Sequence, residues 1–308
     1  MGTGMELIAS GLQFPEGPIW LTDGRVLVVE IRSGTLAAVS PDGTVERVAT
    51  TGGGPNGAAI GPDGKVYVCN NGGFEWHDVS GLAIPGAQPA DYIGGRIQRV
   101  DLDTGAVEDL YTEVDGHPLR GPNDIVFDAD GGFYFTDHGK SRAREVDKSG
   151  VYYATSDGSS IREIAYGLSQ ANGIALSPDG SRLYVAETTT GRVWACEIRS
   201  PGVLGPSATP GGHGTLLHSF DGFQLLDSMA VDGAGNICVA TLITGAVSVI
   251  SPPGELLDQF TVPEPDPLVT NICFGGDDHG TAFVTSSGRG LLYRMDWPYG
   301  GARLHFER

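Results

Sequence analysis

The chain has 308 residues, 40% of them hydrophobic, with 48 Gly and 19 Pro, a composition too apolar for a disordered chain and too rich in turn formers for a helical bundle. Its 38 acidic and 19 basic residues give a formal net charge of -19, a field that repels phosphate backbones and anionic lipid, so nucleic acid and membrane surfaces are excluded as partners. Met1–Gly17 lacks the basic flank and apolar core of an export signal, and no stretch approaches the ~20 apolar residues of a membrane span, so a cytoplasmic protein is expected.

In chain order the predicted elements repeat one unit: a polar residue leading an apolar run, a Pro-Asp-Gly-like turn, and a second β-rich run. The copies are PEGPIWLTDGRVLVVE from Pro15, PNGAAIGPDGKVYVCN from Pro55 and PNDIVFDADGGFYFTD from Pro122. They continue as ANGIALSPDGSRLYVAE from Ala171, LDSMAVDGAGNICVAT from Leu226 and TNICFGGDDHGTAFVT from Thr270. The half-units are too short and too β-branched for helices, and their Asp-Gly centres are hairpin turns. A third strand-like run follows each hairpin (GTLAAVS, GRIQRV, GVYYAT, GRVWACEI, GAVSVI, GLLYRM), usually with a fourth behind it.

The lead residues Glu16, Asn56, Asn123, Asn172, Asp227 and Asn271 are separated by 40, 67, 49, 55 and 44 positions, room for four strands each. Four-stranded antiparallel units at this period predict an all-β, six-bladed β-propeller occupying residues 1–308 as one domain. The stretch MELIASGL from Met5 is expected to supply the outer strand of the last blade, closing the ring and removing exposed edges. Cys69, Cys196, Cys238 and Cys273 lie far apart in or beside apolar runs without a Cys-x-x-Cys pair, and read as buried free thiols.

In a propeller the first strand of every blade lines the central channel, so the six lead residues converge on one face. An all-oxygen set of two carboxylates and four amides selects a hard cation such as calcium, magnesium or manganese, and zinc can occupy the same oxygens. Glu16 enters an apolar strand between Phe14-Pro15 and Gly17-Pro18-Ile19-Trp20, where an unpaired carboxylate is costly and a cation explains it. Asp227 begins a similar strand. For a single Asn-Gly or Asn-Asp pair the competing reading is turn chemistry.

The motifs FPEGPIW at Phe14, GPND at Gly121, NGIALSPDGSRLYVAET at Asn172 and DSMAVDGAGNICVAT at Asp227 together resemble the gluconolactonase and senescence-marker-protein family of six-bladed propellers, over essentially the whole chain. The resemblance implies one divalent cation, calcium first, held by Glu16, Asn172 and Asp227, with Asn123 a fourth ligand or a contact to substrate or water. It implies a metal-dependent lactonase acting on a sugar-acid lactone, the family's usual substrate. A cation can polarise the ester carbonyl, and either Asp227 or a hydroxide on the cation can activate water. Two readings compete: a phosphotriester hydrolase at the same metal, and a non-catalytic propeller that binds a small molecule around a structural metal.

Around the ring, His138 in FTDHGK borders the mouth as a base or acid titrating near neutrality, or as a loop histidine that hydrogen-bonds substrate. Trp76 and His77 sit in the long insertion NNGGFEWHDVSGLAIPGAQPADYIGG, expected to be an ordered lid over the site that contacts substrate. Arg120, beside Gly121-Pro122-Asn123, is a candidate to orient a substrate hydroxyl or carboxylate. Asn56 and Asn271 complete the substrate contacts from behind the ligands.

Overall fold

The computed structural model describes residues 4–308. No helix occurs among them, so none is long and apolar enough to cross a membrane. Six antiparallel sheets stand in a ring, five of four strands and the fourth blade with a fifth short strand, each taking its inner strand from the start of its repeat unit. These inner strands are Pro15–Trp20, Pro55–Ile60, Pro122–Phe127, Ala171–Leu176, Leu226–Val231 and Val269–Gly275, and each packs on the next in a closed cycle. The expected six-bladed propeller is the architecture observed.

Closure comes from the N-terminal strand Glu6–Ala9, which pairs antiparallel with Leu291–Asp296 as the outer strand of blade six. One blade therefore joins both ends of the chain and leaves no inner edge unpaired. Strands covered on both faces read as continuous apolar runs: Val26–Glu30, Val66–Asn70 and Ala246–Ile250 are buried along their whole length. The outer strands Val45–Thr50 and Leu256–Thr261 face solvent and are largely polar or exposed. All four cysteines are buried and free.

The Asp-Gly turns work through two atoms. Asp23, Asp63 and Asp179 accept the backbone N–H two residues ahead through Oδ1 at 3.0, 3.2 and 3.1 Å. The intervening Gly24, Gly64 and Gly180 take φ of 90, 71 and 67°, a region that other residues enter at a steric cost. These hairpins project at the face opposite the lead residues. There the C-terminal segment crosses beneath the channel: the Phe306 ring meets Phe127 edge-on at 5.8 Å, Glu307 Oε1 bonds His279 Nε2 at 2.8 Å, and Thr22 N donates to the Arg308 carbonyl at 2.7 Å.

Candidate active site

In every inner strand the ladder breaks register at its lead end: between Glu16 and Ile19, Pro55 and Ala58, Pro122 and Ile125, Ala171 and Ile174, Leu226 and Met229, and Val269 and Asn271. Such irregularities bend a strand and re-aim a side chain. The glycines beside the lead residues serve close approach. A Cβ on Gly17 would stand 2.6 Å from the Asn56 carbonyl oxygen, one on Gly57 2.5 Å from that of Asn123, and one on Gly173 2.7 Å from that of Asp227. Turn chemistry does not account for these Asn-Gly pairs, because they lie inside strands whose backbones touch the neighbouring blade.

The lead side chains are buried at this constriction: Glu16, Asn56, Asn123, Asn172 and Asn271 are all 5% exposed or less, while Asp227 is half-buried at the rim. Glu16 Oε2 accepts Gly17 N at 2.6 Å and Asn271 Nδ2 at 2.7 Å. Asn172 Nδ2 donates to Thr188 Oγ1 at 3.1 Å, which fixes the amide. Three acceptors remain buried without a hydrogen-bond partner: Glu16 Oε1, Asn123 Oδ1 and Asn172 Oδ1. A buried oxygen left unpaired is expensive, and three from three blades form a set that a cation would satisfy.

The electrostatics agree with that fit. Burial raises the carboxyl of Glu16, and burial followed by the Glu16 charge raises Asp227 well above the carboxylate range. Asp124, one residue after Asn123, is pushed up to about 8 by burial and by Glu16. Its Oδ1 accepts Ile125 N at 2.9 Å and its Oδ2 Ile174 N at 3.3 Å. Three carboxylates thus crowd together with no basic partner to offset them. Among the described residues no group of three or more His, Cys, Asp or Glu is arranged to hold a metal, so a cation here depends on the amide oxygens.

A supporting layer lies at the ends of the second strands. Glu30 Oε1 accepts Gln13 N at 2.9 Å, Asn70 Oδ1 accepts Gly54 N at 3.0 Å, and Glu187 Oε1 accepts Ser169 N at 2.7 Å. The two oxygens of Asp137 accept Arg120 N and Gly121 N, both at 2.7 Å. Each acceptor pins the backbone just ahead of its own blade's lead residue. Sequence reasoning passed over these residues and over Asp124, although the first four repeat units end on Glu30, Asn70, Asp137 and Glu187.

Residues 14–288 match the family model for the SMP-30/gluconolactonase/LRE-like region. The chain belongs to that family. It is 28% identical to a gluconolactonase of Zymomonas mobilis, over 93% of this chain and 80% of that one, and 32% identical to lactonase drp35 of Staphylococcus saprophyticus, over 85% and 74%. Among solved structures, the gluconolactonase XC5397 of Xanthomonas campestris superposes with a TM-score of 0.74 at 23% identity, covering 96% of this chain and 89% of that one. A calcium-binding regucalcin of Agrobacterium tumefaciens gives 0.71 at 18%, covering 95% of each. At those identities the two structures share the fold.

In this SMP-30/gluconolactonase-type chain the blade-two insertion is an ordered hairpin, Trp76–Val79 paired with Leu82–Pro85. Its tip, Ser80-Gly81, takes φ of 52 and 79°, the two-residue turn that matches strand twist. Ala83 N donates to the Gly288 carbonyl of blade six at 2.8 Å, and Arg32 of blade one bonds Asp78 at 2.6 Å. Strand alternation separates the two aromatic candidates: Trp76 packs on Phe14 at 5.1 Å, whereas His77 is exposed. Trp76 thus anchors the hairpin.

His138 is half-buried, and burial pushes its imidazole down to about 4, so it is neutral at pH 7 rather than titrating near neutrality as expected. The Arg120 side chain is exposed, while its carbonyl accepts Tyr92 OH at 2.5 Å. Asn271 commits its amide to Glu16 and its Oδ1 to Ile272 N at 2.7 Å. Below the ring, the channel encloses a cavity of about 140 Å³ bordered by Gly17, Asp124 and Asn271 above, by Ile19 and Met229 along its walls, and by Phe306 beneath.

Proposed function

We propose that this lactone-hydrolysing enzyme acts on a lactone of a sugar acid, and that its ring binds one divalent cation through Glu16, Asn123, Asn172 and Asp227. The observation that carries the cation is the trio of buried, unpartnered oxygens Glu16 Oε1, Asn123 Oδ1 and Asn172 Oδ1. Calcium is the first choice, because every donor is a hard oxygen and two are neutral amides; magnesium, manganese and zinc are the alternatives. The four buried free thiols suit a reducing, cytoplasmic setting.

When bound, the cation supplies Lewis-acid polarisation of the ester carbonyl. Asp227, at the open rim of the ring, takes a proton from the water that adds to the carbonyl carbon. As the ring C–O bond breaks, the same carboxyl returns that proton to the departing alkoxide, leaving a hydroxy acid. Asn271 holds Glu16 while Thr188 holds Asn172, so neither amide nor carboxylate must reorganise during the reaction. Neutral His138 can donate or accept a hydrogen bond to a substrate hydroxyl at the mouth.

The test is a panel of sugar and aliphatic lactones, with a phosphotriester alongside, offered to protein loaded in turn with calcium, magnesium, manganese and zinc. Acid release read by a pH indicator is expected for sugar lactones. No opening above the buffer rate with any metal, or turnover of the phosphotriester alone, would overturn the proposal.

A further inference from the structure

A buried cation that the chemistry at the ring does not use lies against the blade-two insertion. Lys140 follows the second strand of blade three and is only 2% exposed, an unusual state for an ammonium. Its Nζ donates to Asn71 Oδ1 at 3.0 Å and to the Gly73 carbonyl at 2.6 Å, both in the first leg of the blade-two insertion. The Phe74 ring lies 3.9 Å from the same nitrogen and the Tyr92 ring, on the returning leg, 5.6 Å. Aromatic faces and carbonyl oxygens thus replace the water a lysine normally keeps.

The next two residues grip the returning leg. The Ser141 carbonyl accepts Gln88 N at 2.9 Å, and Arg142 Nη1 donates to Gln88 Oε1 at 3.3 Å while its guanidinium is paired with Asp147. Residues 140–142 therefore clasp both legs. The far end is held more lightly, by the Ala83–Gly288 backbone bond, the Trp76–Phe14 contact and the exposed Arg32–Asp78 pair. Exposed ion pairs contribute little, whereas releasing a buried ammonium from its acceptors strands a charge.

We infer that Lys140 is a positioning residue of the active site, fixing the root of the blade-two lid so that the lid opens by lifting its Ser80-Gly81 tip from blades one and six. The hairpin spans the lips of blades three, two, one and six, the arc carrying Asn123, Asn56, Glu16 and Asn271. A lid rooted there selects substrate by size on the open side, beside Asn172 and Asp227. That kinetic consequence rests on the lactone reading; the latch itself does not.

Hydrogen exchange on the full chain separates the two. Lys140→Met is expected to speed exchange across residues 71–93 by about tenfold, and Arg32→Met only across the tip, residues 76–85. With lactones, Lys140→Met should raise KM for bulky substrates about tenfold, with kcat within about twofold and the smallest lactone unaffected. Unchanged exchange in Lys140→Met, or a fall in kcat at constant KM, would overturn the inference. Should Lys140→Met fail to fold, Phe74→Leu loosens the same seat and faces the same criteria. A wild type that opens no lactone defeats the lactone reading, and the exchange comparison still decides the latch.

Discussion

Asn271 Nδ2 donates to Glu16 Oε2 at 2.7 Å, tying the inner strand of the last blade to that of the first. With Gly17 N on the same oxygen, the bond leaves Oε1 as the free atom of the carboxylate. Asn271→Leu should therefore weaken cation binding about tenfold without abolishing it, as loss of a group supporting a ligand commonly does. Glu16→Gln and Asp227→Asn should each abolish stoichiometric binding. Titration calorimetry with calcium checks all three, and full binding by either carboxylate variant removes that residue from the ligand set.

Gly57 is held by sterics rather than by turn geometry. A Cβ there meets the Asn123 carbonyl oxygen at 2.5 Å and the Asp124 Cα at 2.6 Å, both on the neighbouring blade and both immovable without shifting the ring. Gly57→Ala should cost about 1–3 kcal/mol and depress cation binding together with stability. Gly64→Ala is the control: it has positive φ but open space around it, so it should cost less and leave binding unchanged. Thermal melts with and without calcium separate the two cases.

The repeat made the propeller legible because each blade must use the same three devices: a lead residue, a tight turn bearing Asp and Gly, and a doubly buried second strand. The ring was legible for the same reason. Asp124 was not, because the position after the lead residue is Gly in three blades and Ser or Ile in two others, so nothing in the repeat marks a carboxylate there. Trp76 and His77 were read together because they are adjacent, yet a strand sends neighbours to opposite faces. Lys140 resembles any loop lysine in sequence; only the approach of Asn71, Gly73 and Phe74, far away along the chain, makes it special.

The buried Lys140 also has a pH signature. Burial lowers its ammonium from 10.5 to about 7, while the Asp137 and Asp147 carboxylates oppose that shift; His138 and Tyr92 are the other titratable groups around it. Between about 7 and 10.5 the unfolded chain keeps a proton that the folded chain has lost, so folding gains stability as pH rises through that window. Below it the buried charge bears its full cost. Urea melts should therefore show wild type gaining on Lys140→Met between about pH 6 and about pH 9. A constant difference would mean that the amine keeps its ordinary affinity for protons.

Phe306 tests whether the channel below the ring takes part in the chemistry. Its ring packs edge-on against Phe127 at 5.8 Å and closes the apolar cavity from beneath, while the proposed reaction occurs at the opposite face. Phe306→Ala should cost at most about 1.5–3 kcal/mol, since the ring is only partly buried, and should leave kcat/KM unchanged below the melting transition. The neighbouring Glu307–His279 and Arg308–Thr22 contacts would still hold the segment across the channel. Stability measured by melting and turnover measured on the same preparation decide the matter. A variant that melts like wild type but loses turnover would mean that the channel, and not the ring alone, shapes the reacting site.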